Sequence, residues 1–197
     1  MAKKMKEKEI EEKVLKVAIE IAQEGNGALF VIGENVKYAQ LLKQKFEPFN
    51  VMDKGAEKFL KGLAVIDGAV LIDRMGEVLD YAAMIKNSKA FVGFGTRHSA
   101  AMTASQKGNT SIMVSEEEKK VKIFKDGKYV MQIDALQKGI ENKTSSIATM
   151  LETIGAGFIG SVGAVALAPA LGIALIPGVV IFGGSYYALK KILQKFH

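Results

Sequence analysis

Cysteine is absent from this 197-residue chain, and histidine nearly so: His98 and the last residue, His197, are the only two. The first absence excludes disulfides, thiolate metal sites and a cysteine nucleophile, and gives no hint of secretion. Proline is limited to Pro48, Pro169 and Pro177. Charge is missing locally rather than globally. Between Glu152 and Lys190 no charged side chain occurs, whereas the first 150 residues are dense in Lys and Glu. The charged N-terminus is not followed by the apolar segment of a cleavable signal peptide, so a cytoplasmic location is expected for those 150 residues.

The net charge of +6 invites a nucleic-acid reading. The N-terminal segment, however, mixes both signs at helical spacing, as a solvated amphipathic helix does. The basic clusters around Lys119–Lys128 and Lys190–Lys195 are too short to define a groove, and no nucleic-acid partner is expected.

Ile10, Val14, Val17, Ala18 and Ile21 recur at helical spacing and predict a first helix with one buried stripe, stopped by Gly25 and Gly27. ALFVIG (28–33) reads as a buried strand. A helix is expected from Val36 to about Phe46, ended by Pro48, and a short one over AEKFLKGL, ending at Gly62. AVIDGAVLID (64–73), a turn at Gly76 and VLDYAAMI predict an antiparallel hairpin. KAFVGFG reads as a strand, RHSAAMTASQKG as a helix stopped by Gly108, and TSIMVS as a strand. VKIFKDGKYVMQI has the Asp-Gly signature of a hairpin. Helical pattern resumes from Asp134. The expected class is α/β, with a mixed parallel and antiparallel sheet flanked by helices over residues 1–140.

Residues 141–197 are expected to form an apolar helical hairpin. Two helices folded back near Pro169 and Gly172 suit the uncharged run, if Ile147–Glu152 supply the first turns. Gly155, Gly160 and Gly163 permit close helix approach. Lysines flank both outer ends, which predicts attachment of a cytoplasmic domain to the membrane through residues 147–191. The competing expectation is a buried hairpin in a soluble oligomer.

Three short segments place polar residues at the edges of apolar runs. Asp67 in IDGA is costly to bury unless paired or liganded. It equally suits a bulge in which its carboxylate serves local backbone and Gly68 supplies the bend. In GTRHSAA (95–101), Thr96 suits a helix cap and Arg97 a surface position. Alternatively, N–H groups at a helix start beside Arg97 make an anion site, with His98 able to bind a metal or a phosphate oxygen. VSEEE (114–118) is either a charged strand end or a source of carboxylates for a divalent cation.

In this order, IDGAVLI, GTRHSAA and MVSEE, with EGNGALFVIGE (24–34) before them, resemble the diadenylate cyclase domain family over residues 10–135. The resemblance implies condensation of two ATP into cyclic di-3′,5′-adenylate with release of two pyrophosphates, with Mg²⁺ or Mn²⁺ as cofactor. It implies a homodimer, or a higher oligomer, whose facing protomers each hold one ATP. By position, Asp67 is expected near the attacking 3′-hydroxyl, directly or through a metal, with Gly68 and Ala69 letting backbone approach the nucleotide. Thr96 and Arg97 are implied in phosphate binding, His98 as a ligand of metal or phosphate, and Ser115 and Glu117 in the triphosphate–metal site. The implied metal ligands are thus Asp67, His98 and Glu117.

Two departures stand out. Ser99 occupies the position where the family commonly carries a second arginine; it offers a hydrogen bond to ATP but no charge. The stretch MIKNSKAFVG replaces a Leu-Pro loop common in bacterial members. A second expectation is therefore a catalytically weakened nucleotide-binding or sensor module of the same fold. No helix-hairpin-helix appendage of the DNA-scanning members is expected.

Overall fold

The computed structural model describes residues 2–43, 46–88, 95–155 and 176–181, with side chains from residue 6 to 152 and from 176 to 181 within these ranges. Helix α1 (Ala2–Glu24) leads into β1 (Ala28–Ile32) through Gly25, whose φ of 80° ends the helix. Then follow β2 (Tyr38–Gln40), α2 (Ala56–Ala64), β3 (Ala69–Ile72), β4 (Val78–Ile85) and α3 (Thr96–Ala104). Strands β5 (Thr110–Ser115), β6 (Lys120–Lys125) and β7 (Lys128–Asp134) form a meander. A short 3₁₀ turn (Ile140–Lys143), α4 (Thr144–Gly155) and β8 (Val179–Ile181) complete the described chain.

The eight strands form one sheet in the order β2-β4-β3-β1-β5-β6-β7-β8. Only β1 and β3 run parallel, and every other pair is antiparallel, so the mixed sheet expected from the hairpin signals is present. Central β1 is buried along its whole length, as its unbroken apolar run requires. Its side chains alternate between two cores: Ala28, Phe30 and Ile32 join α1, α2 and α4 on one face, while Leu29 and Val31 meet Ala101 and Met102 of α3 on the other. Among the described residues, one face therefore carries three helices and the other a single short one. That asymmetry leaves open space beside α3, and the cleft described below occupies it.

The predicted stripe on α1 is buried, and so are Leu15, Ile19 and Ala22, because α4 packs against α1 on the same face of the sheet. Burying side chains of this size contributes about 1.5–3 kcal/mol each. Ile147, Ala148 and Leu151 belong to this core. The turns expected to open an apolar hairpin are helical and packed on α1. Residues 156–175 and 182–197, where most of that hairpin falls, lie outside the described residues. Val179–Ile181, expected within it as helix, is a strand paired with Met131–Ile133 of β7. Among the described residues no helix is long and apolar enough to cross a membrane.

The helix expected from Val36 to Phe46 is not formed. Asp80 of β4 is buried, and its carboxylate accepts from Gln40 Nε2 (2.7 Å), from the Tyr81 amide (2.8 Å) and from the Tyr38 hydroxyl. An extended β2 supplies two of these partners and also satisfies the open edge of β4 at Ala83–Ile85. A helix there would leave the carboxylate buried and poorly bonded, a cost exceeding any helical propensity. Other bounds shift slightly: α2 continues to Ala64, so the strand expected from residue 64 begins at Ala69. KAFVGFG falls almost wholly outside the described residues.

A buried polar cluster ties α1 to the sheet. Glu11 is 1% exposed, and its Oε1 accepts from Thr110 Oγ1 at 2.9 Å and Lys125 Nζ at 3.3 Å. Burial pushes its carboxyl above the ordinary value, and the Lys125 charge and Thr110 hydrogen bond only partly offset this. Lys125→Met is therefore expected to cost about 3–5 kcal/mol, a fall in Tm of roughly 6–20 °C. An acid with a raised folded-state pKa is most favourable below its unfolded pKa and loses stability as pH rises through the folded value. Unpairing Glu11 raises that value further. The Tm gap between wild type and variant should thus widen from pH 5 to pH 8, and an equal gap at both would refute the assignment.

Candidate active site

The backbone around Asp67 is shaped by a close approach. Gly68 has φ 106°, and a Cβ there would lie 2.6 Å from the carbonyl carbon of Ala82 and 2.8 Å from its Cα. Ala82 itself has φ 48°, at a shift in the β3–β4 register between the pairs Ala69–Ala83 and Leu71–Asp80. The glycine is thus required twice, by its own dihedral and by the bulging strand beside it. Asp67 is consequently presented before the start of β3, exposed, with Oδ1 accepting the Gly68 amide at 3.1 Å. The bulge reading of this segment and its presence at a cleft hold together.

On the neighbouring side, Gly95 precedes α3 in an extended conformation (φ −68°, ψ 168°), and the helix begins at Thr96. Thr96 is the first helical residue and Gly95 takes the cap position, so Thr96 is not the cap expected of it. The first described intrahelical amide bond is Ser99 N–H to Gly95 O, 3.2 Å. The amides of the preceding turn have no place in the helix's own ladder. Arg97 is exposed and no described carboxylate forms an ion pair with it. Its guanidinium lies over Gly27, where a Cβ would stand 2.2 Å from Nη1. Gly27 therefore provides the berth for this arginine, a role beyond stopping α1.

Ser115 ends β5, and its hydroxyl accepts the Glu118 amide at 3.4 Å across the turn to β6. Glu116, Glu117 and Glu118 are exposed on that turn. These three regions meet at one cleft of about 710 Å³, lined by Asp67, Gly68, Thr96, Arg97, His98, Ser115 and Glu117 among others. Leu41, Met84 and Met113 give part of its wall an apolar character. Ala69 and Ser99 do not line it: both are buried, and the Ser99 hydroxyl turns back to Gly95 O at 3.4 Å.

A family model described as DisA bacterial checkpoint controller nucleotide-binding (DAC) matches residues 16–129, more than half of the chain. The chain belongs to the DAC family. Two curated relatives, each named diadenylate cyclase, are similar to it. The one from Methanocaldococcus jannaschii is 32% identical over 145 residues, covering 66% of this chain and 47% of the relative. That from Haloferax volcanii is 31% identical over 137 residues, covering 61% and 51%. The chain thus spans about half the length of the curated relatives it matches. Among solved structures, DacA from Staphylococcus aureus shares 20% identity and a TM-score of 0.45, covering 61% of this chain and 84% of that one. A hypothetical membrane spanning protein from Bacillus cereus shares 21% identity and a TM-score of 0.44, covering 59% of each chain.

Beside this DAC-family cleft, sequence reasoning missed one group, Lys122, and its tie to Glu118 and His98. Lys122 of β6 is buried, and its ammonium donates to Nε2 of His98 at 3.1 Å and to Oε1 of Glu118. Burial works to raise the Glu118 carboxyl, but the hydrogen bond and charge of Lys122, with Lys120 behind it, hold it below the usual range. The signal was present as a lysine at an inward position of the alternating KVKIFK, but a lone strand lysine usually faces solvent.

The donor set suits a divalent cation carried partly by substrate. Among the described residues no three acids or histidines converge as an ion cage. Mg²⁺ is commonly held by one or two carboxylates together with substrate phosphates, and Asp67 and Glu117 are open carboxylates on the cleft. His98 fits less well than expected. While its Nε2 accepts from Lys122, its ring turns no lone pair toward a metal.

Proposed function

We propose that the chain is a diadenylate cyclase, joining two ATP into cyclic di-AMP at a site shared by two facing protomers. The observation that carries this reading is the convergence of Asp67, the α3 start with Arg97, and the Ser115–Glu117 turn on a single cleft in a DAC-family fold. Names of the two archaeal relatives support the same activity.

In this reading the N–H groups of the first turn of α3, with Arg97 beside them, bind the triphosphate of one ATP. Asp67 of the same protomer lies near the 3′-hydroxyl and takes its proton as that oxygen attacks the α-phosphate on the partner's ATP. The new phosphodiester forms as the bond to pyrophosphate breaks, and the reciprocal step closes the ring. Asp67 and Glu117 would hold a divalent ion, which when bound would supply charge stabilisation to the transferred group and to departing pyrophosphate. A single cleft holds one half of this reaction, so the specific rate should fall on dilution below the dimer dissociation constant. A specific rate independent of protein concentration, from a form shown to be monomeric, would exclude the shared site.

The berth of Arg97 yields a separate expectation. Gly27→Ala meets only the end of a flexible side chain, so the fold should keep its stability to within about 1 kcal/mol. The guanidinium must move, however, and loss of a charge-assisted hydrogen bond of about 1.5–3 kcal/mol raises the KM for ATP roughly 10- to 100-fold. Titration of initial rate with ATP, alongside thermal melting, checks both parts.

A further inference from the structure

We infer that Lys122 is a positioning residue for His98, setting the tautomer and the orientation of the histidine that lines the cleft. This deepens the diadenylate cyclase reading and rests on it for its kinetic consequence, but its structural content is independent of that reading.

The argument begins with what an ammonium can do. Lys122 is 5% exposed, lies opposite Met113 in the β5–β6 register, and stands on a strand between an exposed turn and the α3 face of the sheet. An ammonium has donors and no acceptor, so its 3.1 Å contact with Nε2 requires a lone pair on that nitrogen. The single proton of the neutral ring then sits on Nδ1. Glu118 fixes the other side of the ammonium, where the turn after β5 folds back to meet β6. Side-chain geometry holds the ring as well. The edge of His98 meets Phe124 at 90° with centroids 6.2 Å apart, and Phe124 stacks on Tyr129 at 5.0 Å. The imidazole is thus bounded by a cation at one nitrogen and by an aromatic pair at its side.

The consequence is twofold. Nδ1–H becomes a fixed hydrogen-bond donor at the start of α3, suited to an anionic oxygen rather than to a metal ion. The Lys122 charge also sits beneath the first turn of that helix, where the neighbouring residue Ser99 is neutral and turned inward. Outer partners of this kind typically change affinity or activity by 10- to 100-fold when removed, by analogy with the groups that orient metal-bound histidines.

The test uses Lys122→Met, which keeps the apolar stem, and reads the ¹⁵N and ¹H signals of His98 in the full-length protein without nucleotide. With only two histidines, His98→Gln assigns the spectrum directly. In the wild type, a protonated Nδ1 and an unprotonated Nε2 are expected. In Lys122→Met the ring should shift to the Nε2–H form or to a tautomer mixture. A parallel assay should show kcat reduced about 10- to 100-fold, with a smaller change in KM for ATP, at unchanged folded fraction. Glu118→Gln keeps a hydrogen-bonding partner for Lys122 and should preserve the His98 tautomer. A wild-type His98 protonated on Nε2, or an identical His98 signature in Lys122→Met, would overturn the inference. Failure of the cyclase reading alone would leave the NMR result standing, so the two are separable.

Discussion

Asp67→Asn is expected to lower the rate of cyclic dinucleotide formation by about 10²- to 10⁴-fold, the range over which a positioned general base contributes. The fold should not notice the change. Asp67 is exposed, and its described hydrogen bond is to the following amide, which an asparagine oxygen accepts equally well. Tm should therefore stay within about 2 °C of wild type, as for an exposed substitution of no more than about 0.5 kcal/mol. Isosteric removal of the charge isolates the chemical role of the carboxylate. If Asp67→Asn retained activity within about threefold of wild type, less than a positioned base contributes, the 3′-hydroxyl would have to be deprotonated elsewhere.

Gly68→Ala is the second large effect, and here both stability and activity should fall. The added Cβ meets backbone atoms of Ala82 and Ala83 at 2.6–2.8 Å, none of which can rotate away, and the position has φ 106°. Strain and collision together are expected to cost about 3 kcal/mol, or roughly 6–12 °C in Tm. Relief of that collision displaces the adjoining Asp67, so activity should fall further than the folded fraction does. Gly62→Ala provides the contrast. It lies within α2, and a Cβ there has nothing within 4 Å. That variant should be as stable as wild type or gain up to about 1 kcal/mol from helix propensity. Chemical denaturation of the two variants side by side separates a conformational requirement from a general dislike of alanine.

Where local pattern and burial agreed, the fold could be read from the chain. ALFVIG, VLDYAAMI, TSIMVS and the Asp-Gly hairpin became strands because their apolar residues face two cores and their turns adopt positive φ at Asp126 and Gly127. Residues 36–46 misled for a non-local reason. Buried Asp80 recruits Tyr38 and Gln40, and no periodicity within that segment announces a carboxylate forty residues away. Val179–Ile181 reads as part of an apolar helix in isolation, yet its backbone completes the free edge of β7.

The site divides in the same way. Asp67, Arg97 and Glu117 stood out because each interrupts or ends an apolar run, and all three line the cleft. Ser99 stood out for the opposite reason, as a missing charge beside His98. A cation is nevertheless found next to that histidine, donated by Lys122 from a strand whose lysines look like surface residues. Only the pairing of β5 with β6 brings it there. Gly27 was visible as a helix stop, but its service to Arg97 depends on where α3 begins relative to β1. Such contacts depend on sheet order, which local sequence does not encode.

The central claim is tested most directly by stoichiometry on one sample. Purified protein incubated with ATP and Mn²⁺ should consume two ATP and release two pyrophosphates for each cyclic dinucleotide seen by mass spectrometry, and Asp67→Asn should slow all three changes together, by about 10²- to 10⁴-fold. Binding of ATP with no cyclic product across several divalent metals would contradict the account.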